Sequence, residues 1–107
     1  ANGSEVSLLC EVAGKLLADG IACRVISVPS IGLFEEQDSV YRQALIPAGA
    51  KVFGLTAGLP STLRGLVGTN GKVFGMSRFG ASAPYKVLDE KFGFTVENVL
   101  KQIKSIL

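Results

Sequence analysis

Apolar and polar positions along this chain follow two alternating rhythms. From residue 5 to about Asp19, Leu9, Val12, Ala13 and Leu16 recur at three- and four-residue intervals, with Glu11, Lys15 and Asp19 between them, which predicts a helix with one buried face. Ser4 is a good N-cap for that helix, Glu5 suits the positive end of its dipole, and Gly20 supplies the stop. Ile21 to Val28 is then almost continuously apolar, broken by Arg24 and Ser27, as expected of a strand with helices over both faces. Pro29-Ser30 ends it. Residues 31–37 read as a short helix or turn, and Asp38 caps a further helix through about Ile46 that Pro47 closes.

The rhythm of two returns at Ala50–Thr56, a second strand, before Ala57-Gly58-Leu59-Pro60 breaks it and a short helical segment follows near Ser61 to Leu66. After a turn at Gly68–Gly71, Lys72–Ser77 is the third strand, and Pro84 can occupy the first turn of a helix that runs to about Phe92 and stops at Gly93. Thr95 caps the last helix, whose Val96, Val99, Leu100, Ile103 and Leu107 form one apolar stripe expected to pack on the sheet. Strands alternating with helices over the whole length predict a single α/β domain, residues 1–107, with three α/β/α layers and a mostly parallel sheet. Three strands are few for that architecture, and the first helix opens with no strand ahead of it. A turn such as Asn2-Gly3-Ser4 normally follows a strand, so the expectation is a piece of a longer polypeptide that begins at that strand's carboxyl end.

Composition narrows the chemistry. A chain of 107 residues has room for one compact core, and 48% hydrophobic against 19% charged residues makes a folded domain the expectation. There is no histidine and no tryptophan, which removes the commonest general base, the commonest metal ligand and the usual partner of a nucleophilic serine or cysteine. Eleven basic against nine acidic residues, scattered rather than striped, speak against nucleic acid as a partner. No apolar run approaches the roughly 20 residues that span a bilayer. Cys10, on the apolar side of the first helix, and Cys23, in the first strand, read as two reduced core thiols of a cytoplasmic protein. Neither has a candidate base beside it, so a thiol hydrolase or redox site is disfavoured.

Two groups of residues are candidates for binding. Gly3 and Ser4, at a helix start, can present free backbone N–H groups to an anion, although a capped turn needs the same residues. Arg78 and Ser82 follow the carboxyl end of the third strand, the edge at which α/β sheets usually bind ligands, although a structural loop would use them too. Gln37 and Tyr41 would share a helix face if the helix began early, and with Arg42 they could make a polar contact across a domain boundary. Glu35 and Glu36, as neighbours, read as a solvated face. No residue is assigned a catalytic, cofactor-binding or metal-binding role.

Several strings then recur together: Gly3-Ser4-Glu5-Val6-Ser7-Leu8, Arg24-Val25-Ile26-Ser27-Val28-Pro29-Ser30, Phe34, Gln37, Tyr41-Arg42 and Leu45-Ile46-Pro47. Val67-Gly68, Gly71-Lys72-Val73, Phe79-Gly80-Ala81-Ser82-Ala83-Pro84 and Phe92-Gly93-Phe94-Thr95-Val96-Glu97-Asn98-Val99 continue the series. In this combination the chain resembles the C-terminal domain of bacterial-type transketolases over almost its entire length. The resemblance implies a five-stranded mixed sheet, of which this sequence supplies three strands, the central strand before Gly3 and an antiparallel edge strand being absent. It implies a homodimeric parent of the pentose phosphate pathway that transfers a two-carbon ketol unit between sugar phosphates. Thiamine diphosphate and a divalent cation, Mg or Ca, would be held by the parent's other domains and none by this one. This domain's implied role is support of the dimer; the alternative is a stand-alone or regulatory module that binds an anion or small molecule. Thr56, where many relatives carry an acid, and residues 60–66, where they carry aromatics, depart from the pattern.

Overall fold

The computed structural model describes residues 1–3, 5–47, 49–58, 60–68, 71–75 and 93–107. The Ser4 cap, the end of the third strand, the turn residues Thr69 and Asn70 and the helix expected over 84–92 lie outside the described residues. Helix α1 spans Glu5–Ala18, α2 Ile31–Glu35 and α3 Ser39–Leu45; strand β1, Phe53–Leu55, is followed by α4, Ser61–Val67, strand β2, Lys72–Phe74, and α5, Val96–Lys104.

β1 and β2 pair in parallel with Phe53 opposite Lys72, Gly54 opposite Val73 and Leu55 opposite Phe74. The ladder extends through Lys72 N to Val52 O and Thr56 N to Phe74 O, each 3.1 Å. Alternation along β1 sends Phe53 and Leu55 to one side and Gly54 to the other. On the first side Leu55 is fully buried with Leu9, Val12 and Leu16 of α1 and Val99 of α5, and Phe74, Phe94, Val96, Leu100 and Ile103 pack around them. Phe74 and Phe94 meet edge to face at 5.2 Å, a geometry that aromatic quadrupoles favour. On the second side lies α4: a Cβ added to Gly54 would stand 2.8 Å from Val67 Cγ2, so only glycine admits that helix so close. Helices on both sides of a parallel pair give the expected α/β/α layering.

α1 and α5 carry their stripes as the spacing requires, and Lys104 Nζ bonds Asp19 Oδ2 at 2.9 Å across their exposed edge. Thr95 caps α5, its Oγ1 accepting from Asn98 N. Leu107, placed on the same stripe, is 52% exposed because α5 ends at Lys104 and the stripe does not continue past it.

Two expectations are corrected. Residues 21–28 form no strand with β1 or β2: among the described residues their backbone bonds run to Leu16, through Ile21 N, and to Ala1. Both cysteines are exposed rather than buried. Cys10 sits about 100° around α1 from Leu9, outside the sector of Leu9, Val12 and Leu16, and Cys23 has no strand beside it to cover it.

Neighbouring leucines of α1 test this packing. Leu16→Ala is expected to lower unfolding stability by about 2–5 kcal/mol in urea titrations, and Leu17→Ala by no more than about 0.5 kcal/mol. Gly54→Ala should cost about 1–3 kcal/mol through overpacking against Val67.

Candidate functional site

One concavity among the described residues lies beside the sheet. The Ala1 amine donates to Ile26 O at 3.1 Å and Val28 N donates to Ala1 O at 2.9 Å. That pair of bonds is a parallel bridge with Ala1 opposite Ser27. Between the 21–28 segment and β1 lies an open groove of about 490 Å³. Leu9 and Leu16 of α1 and Ile103 of α5 line it from one layer; Leu45 of α3 and Leu63 and Val67 of α4 line it from the other. A groove open to both layers and bordered by two extended segments has the shape of an unfilled strand position. Its largely apolar walls suit alternating side chains of an extended peptide.

α3 closes one end of this groove. Arg24 Nη1 donates to Ala44 O at 2.8 Å and to Leu45 O at 3.2 Å, so the guanidinium satisfies carbonyls that the helix end leaves open. Asp38 caps the other end, its Oδ1 accepting from Tyr41 N at 2.8 Å. The helix therefore starts at Ser39, and Gln37 lies outside it. The expected Gln37–Tyr41 face does not form: Gln37 Nε2 instead donates to Leu33 O, in the middle of α2, at 3.1 Å. Arg42 lines a second groove, of about 480 Å³, in which Phe34, Glu35, Ser39 and Gln43 face Leu66 of α4. Tyr41 points elsewhere and is half exposed. The sequence reading missed Leu33 and Val40, which are exposed large hydrophobic residues in the same two helices. Their apolar character next to short, polar-capped segments was the available signal.

Of the anion candidates, Gly3 is exposed at the start of α1 with φ +62°, a conformation that favours glycine. Val6 N already bonds Gly3 O, and the Glu5 carboxylate lies near the Gly3 Cα, bringing negative charge to this turn. Ser4, Arg78 and Ser82 lie outside the described residues. Thr56 is buried at the carboxyl end of β1, and its Oγ1 accepts from Gly58 N, a local turn that engages its hydroxyl.

Thiamine diphosphate and a divalent cation, the groups that the family resemblance implies, do not fit these residues. The groove beside β1 is walled mostly by aliphatic side chains, its charged lining residues are Lys51 and an Arg24 already engaged with the α3 carbonyls, and among the described residues no three His, Cys, Asp or Glu side chains gather at one point. Diphosphate and Mg or Ca both require charged or oxygen-rich partners. No described helix is long and apolar enough to cross a membrane.

Comparison with known proteins agrees with the fold. Residues 1–95 match the family described as the transketolase-like TK C-terminal domain. Over its whole length the chain is 44% identical to transketolase 2 of Aliivibrio fischeri and 42% identical to transketolase 1 of Escherichia coli, covering 16% of each. The crystal structure of transketolase from Campylobacter jejuni superposes with a TM-score of 0.88 at 38% identity, over 97% of this chain and 16% of that one. Transketolase from Leishmania mexicana gives 0.89 at 40% identity, over 98% of this chain and 15% of that one. The chain thus spans about a sixth of the length of the relatives it matches.

Burial at the groove's end lowers the pKa of the Ala1 amine below 8.0, and the nearby Glu5 carboxylate offsets this in part. The folded state therefore binds the proton less tightly than the unfolded state. Stability should rise with pH between the lowered value and about 8.0 and level off on either side. Urea unfolding of the chain with a free Ala1 amine should show this rise, and the Nα-acetylated chain should not.

Proposed function

The chain belongs to the transketolase-like C-terminal domain family, and from that membership we propose that it is the non-catalytic C-terminal domain of a transketolase-like parent, supporting assembly and stability of the parent's dimer. The parent's reaction is transfer of a two-carbon ketol unit between sugar phosphates, with thiamine diphosphate and a divalent cation, in the cytoplasm. The parent's other domains hold both groups and both substrates.

The observation that carries this reading is the groove. An apolar slot between two extended segments, lined from both helical layers, is a poor site for a sugar phosphate and a good one for polypeptide. On this reading an extended stretch of the parent lies parallel to 21–28 and β1, joins them into one sheet and fixes the domain to the rest of the chain. The absence of histidine from the sequence accords with a domain that contributes no proton-transfer group to the reaction.

The test is a comparison of three proteins: the parent, the parent with this segment deleted, and the 107-residue chain alone. With thiamine diphosphate, magnesium and sugar phosphates, the parent should turn over and the isolated chain should not. Deletion should raise the dimer dissociation constant at least tenfold in sedimentation experiments. Turnover by the isolated chain would overturn the non-catalytic role, and an unchanged dissociation constant would overturn the assembly role.

A further inference from the structure

Helices α2 and α3 are unusual in this fold because neither contains a buried residue. They have five and seven residues, well short of the roughly 12–15 at which a helix becomes even marginal alone in water, so packing must supply their stability. The packing within the chain is one-sided. Ser39, Arg42, Gln43 and Ile46, spaced as one helical face, line the groove toward α4 together with Phe34 and Glu35. Val40 and Tyr41 fall on the other side of α3, and Leu33 is likewise outside that groove. Leu33 is 62% exposed, Val40 77% and Tyr41 50%. The Tyr41 hydroxyl makes no hydrogen bond among the described residues. Exposed Glu36 and Asp38 lie between Leu33 and Val40 in sequence.

We propose that the outer side of α2 and α3, centred on Leu33, Val40 and Tyr41, docks against another domain of the same parent polypeptide. The inference rests on the reading of this chain as one domain of a longer transketolase, and it deepens that reading by naming the surface. The size of the missing polypeptide decides the occupant: about five-sixths of the length of the relatives lies outside this chain, so most surface within reach is in the same molecule. The complementary surface is apolar, with a hydrogen-bonding group for the Tyr41 hydroxyl, since a tyrosine at an interface buries its ring and keeps its polar tip paired. Leu17, equally exposed but on α1, is a single surface leucine of the ordinary kind and serves as the control.

The experiment uses the full-length parent and reads hydrogen exchange by mass spectrometry together with sedimentation. Val40→Arg and Leu33→Arg should accelerate exchange over residues 31–46 at least tenfold, and also over one surface elsewhere in the same polypeptide, with the dimer intact. Leu17→Arg should leave both within twofold. Val40→Ala, which introduces no charge, should give a smaller acceleration at the same two places. Exchange unchanged by Val40→Arg would overturn the proposal, because the face would then be solvated in the parent. Loss of the dimer with Val40→Arg would also overturn it, by making the second subunit the occupant. A parent that fails to transfer ketol units would sink the functional reading and leave the exchange result standing.

Discussion

The two hydrogen bonds between Ala1 and the 26–28 backbone set the geometry of this side of the molecule. A parallel bridge fixes both spacing and direction, so Ala1 and Ser27 stand side by side, outside the β1–β2 sheet. α1 then starts where a strand would hand over to a helix, and its Leu9, Val12 and Leu16 reach the Leu55 side of β1. The remaining distance to β1 is the groove. Neither 21–28 nor β1 can close it, because each is tethered elsewhere: the first by Ala1 and by Arg24 on α3, the second by β2 and by the core around Leu55.

Much of the fold was legible because its signals are local. The Leu9–Val12–Leu16 spacing, the Thr95 and Asp38 caps and the alternation around Phe53 and Leu55 depend on neighbours within a turn or a pleat, and all appear in the structure. What depended on distant partners was harder to read. Residues 21–28 have the composition of a buried strand, but a strand exists only with something beside it, and Cys23 is exposed for the same reason. Cys10 was a matter of angle, since one position along a helix turns a side chain out of a core sector. Gln37 looked helical by spacing, but the carboxylate at residue 38 captured the first turn and left it outside. The candidate contact residues thus separate, with Arg42 exposed along the groove toward α4, Gln37 spent on α2, and Tyr41 facing outward beside Val40 and Leu33, which had carried no polar signal to mark them.

The described residues divide the work of the domain into burial and presentation. The α1, β1 and α5 core is built from aliphatic side chains and one aromatic pair, with Thr56 its only buried polar residue among those described, and it has no titratable group at its centre. Such a core is suited to holding surfaces in place. The grooves and the outer helix faces lie around it, with apolar side chains and a few directed polar groups.

The Arg24 fork onto the last carbonyls of α3 joins two of those surfaces. Leu45 and Ile46 at the end of α3 form part of the groove wall, and Val40 and Tyr41 one to two turns earlier form the outer face, so seven residues serve both. The guanidinium ties that helix to the 21–28 segment, so the two move as one piece only while those bonds are made. The consequence is a shared support: one guanidinium holds both the groove wall and the helix that carries the outer face.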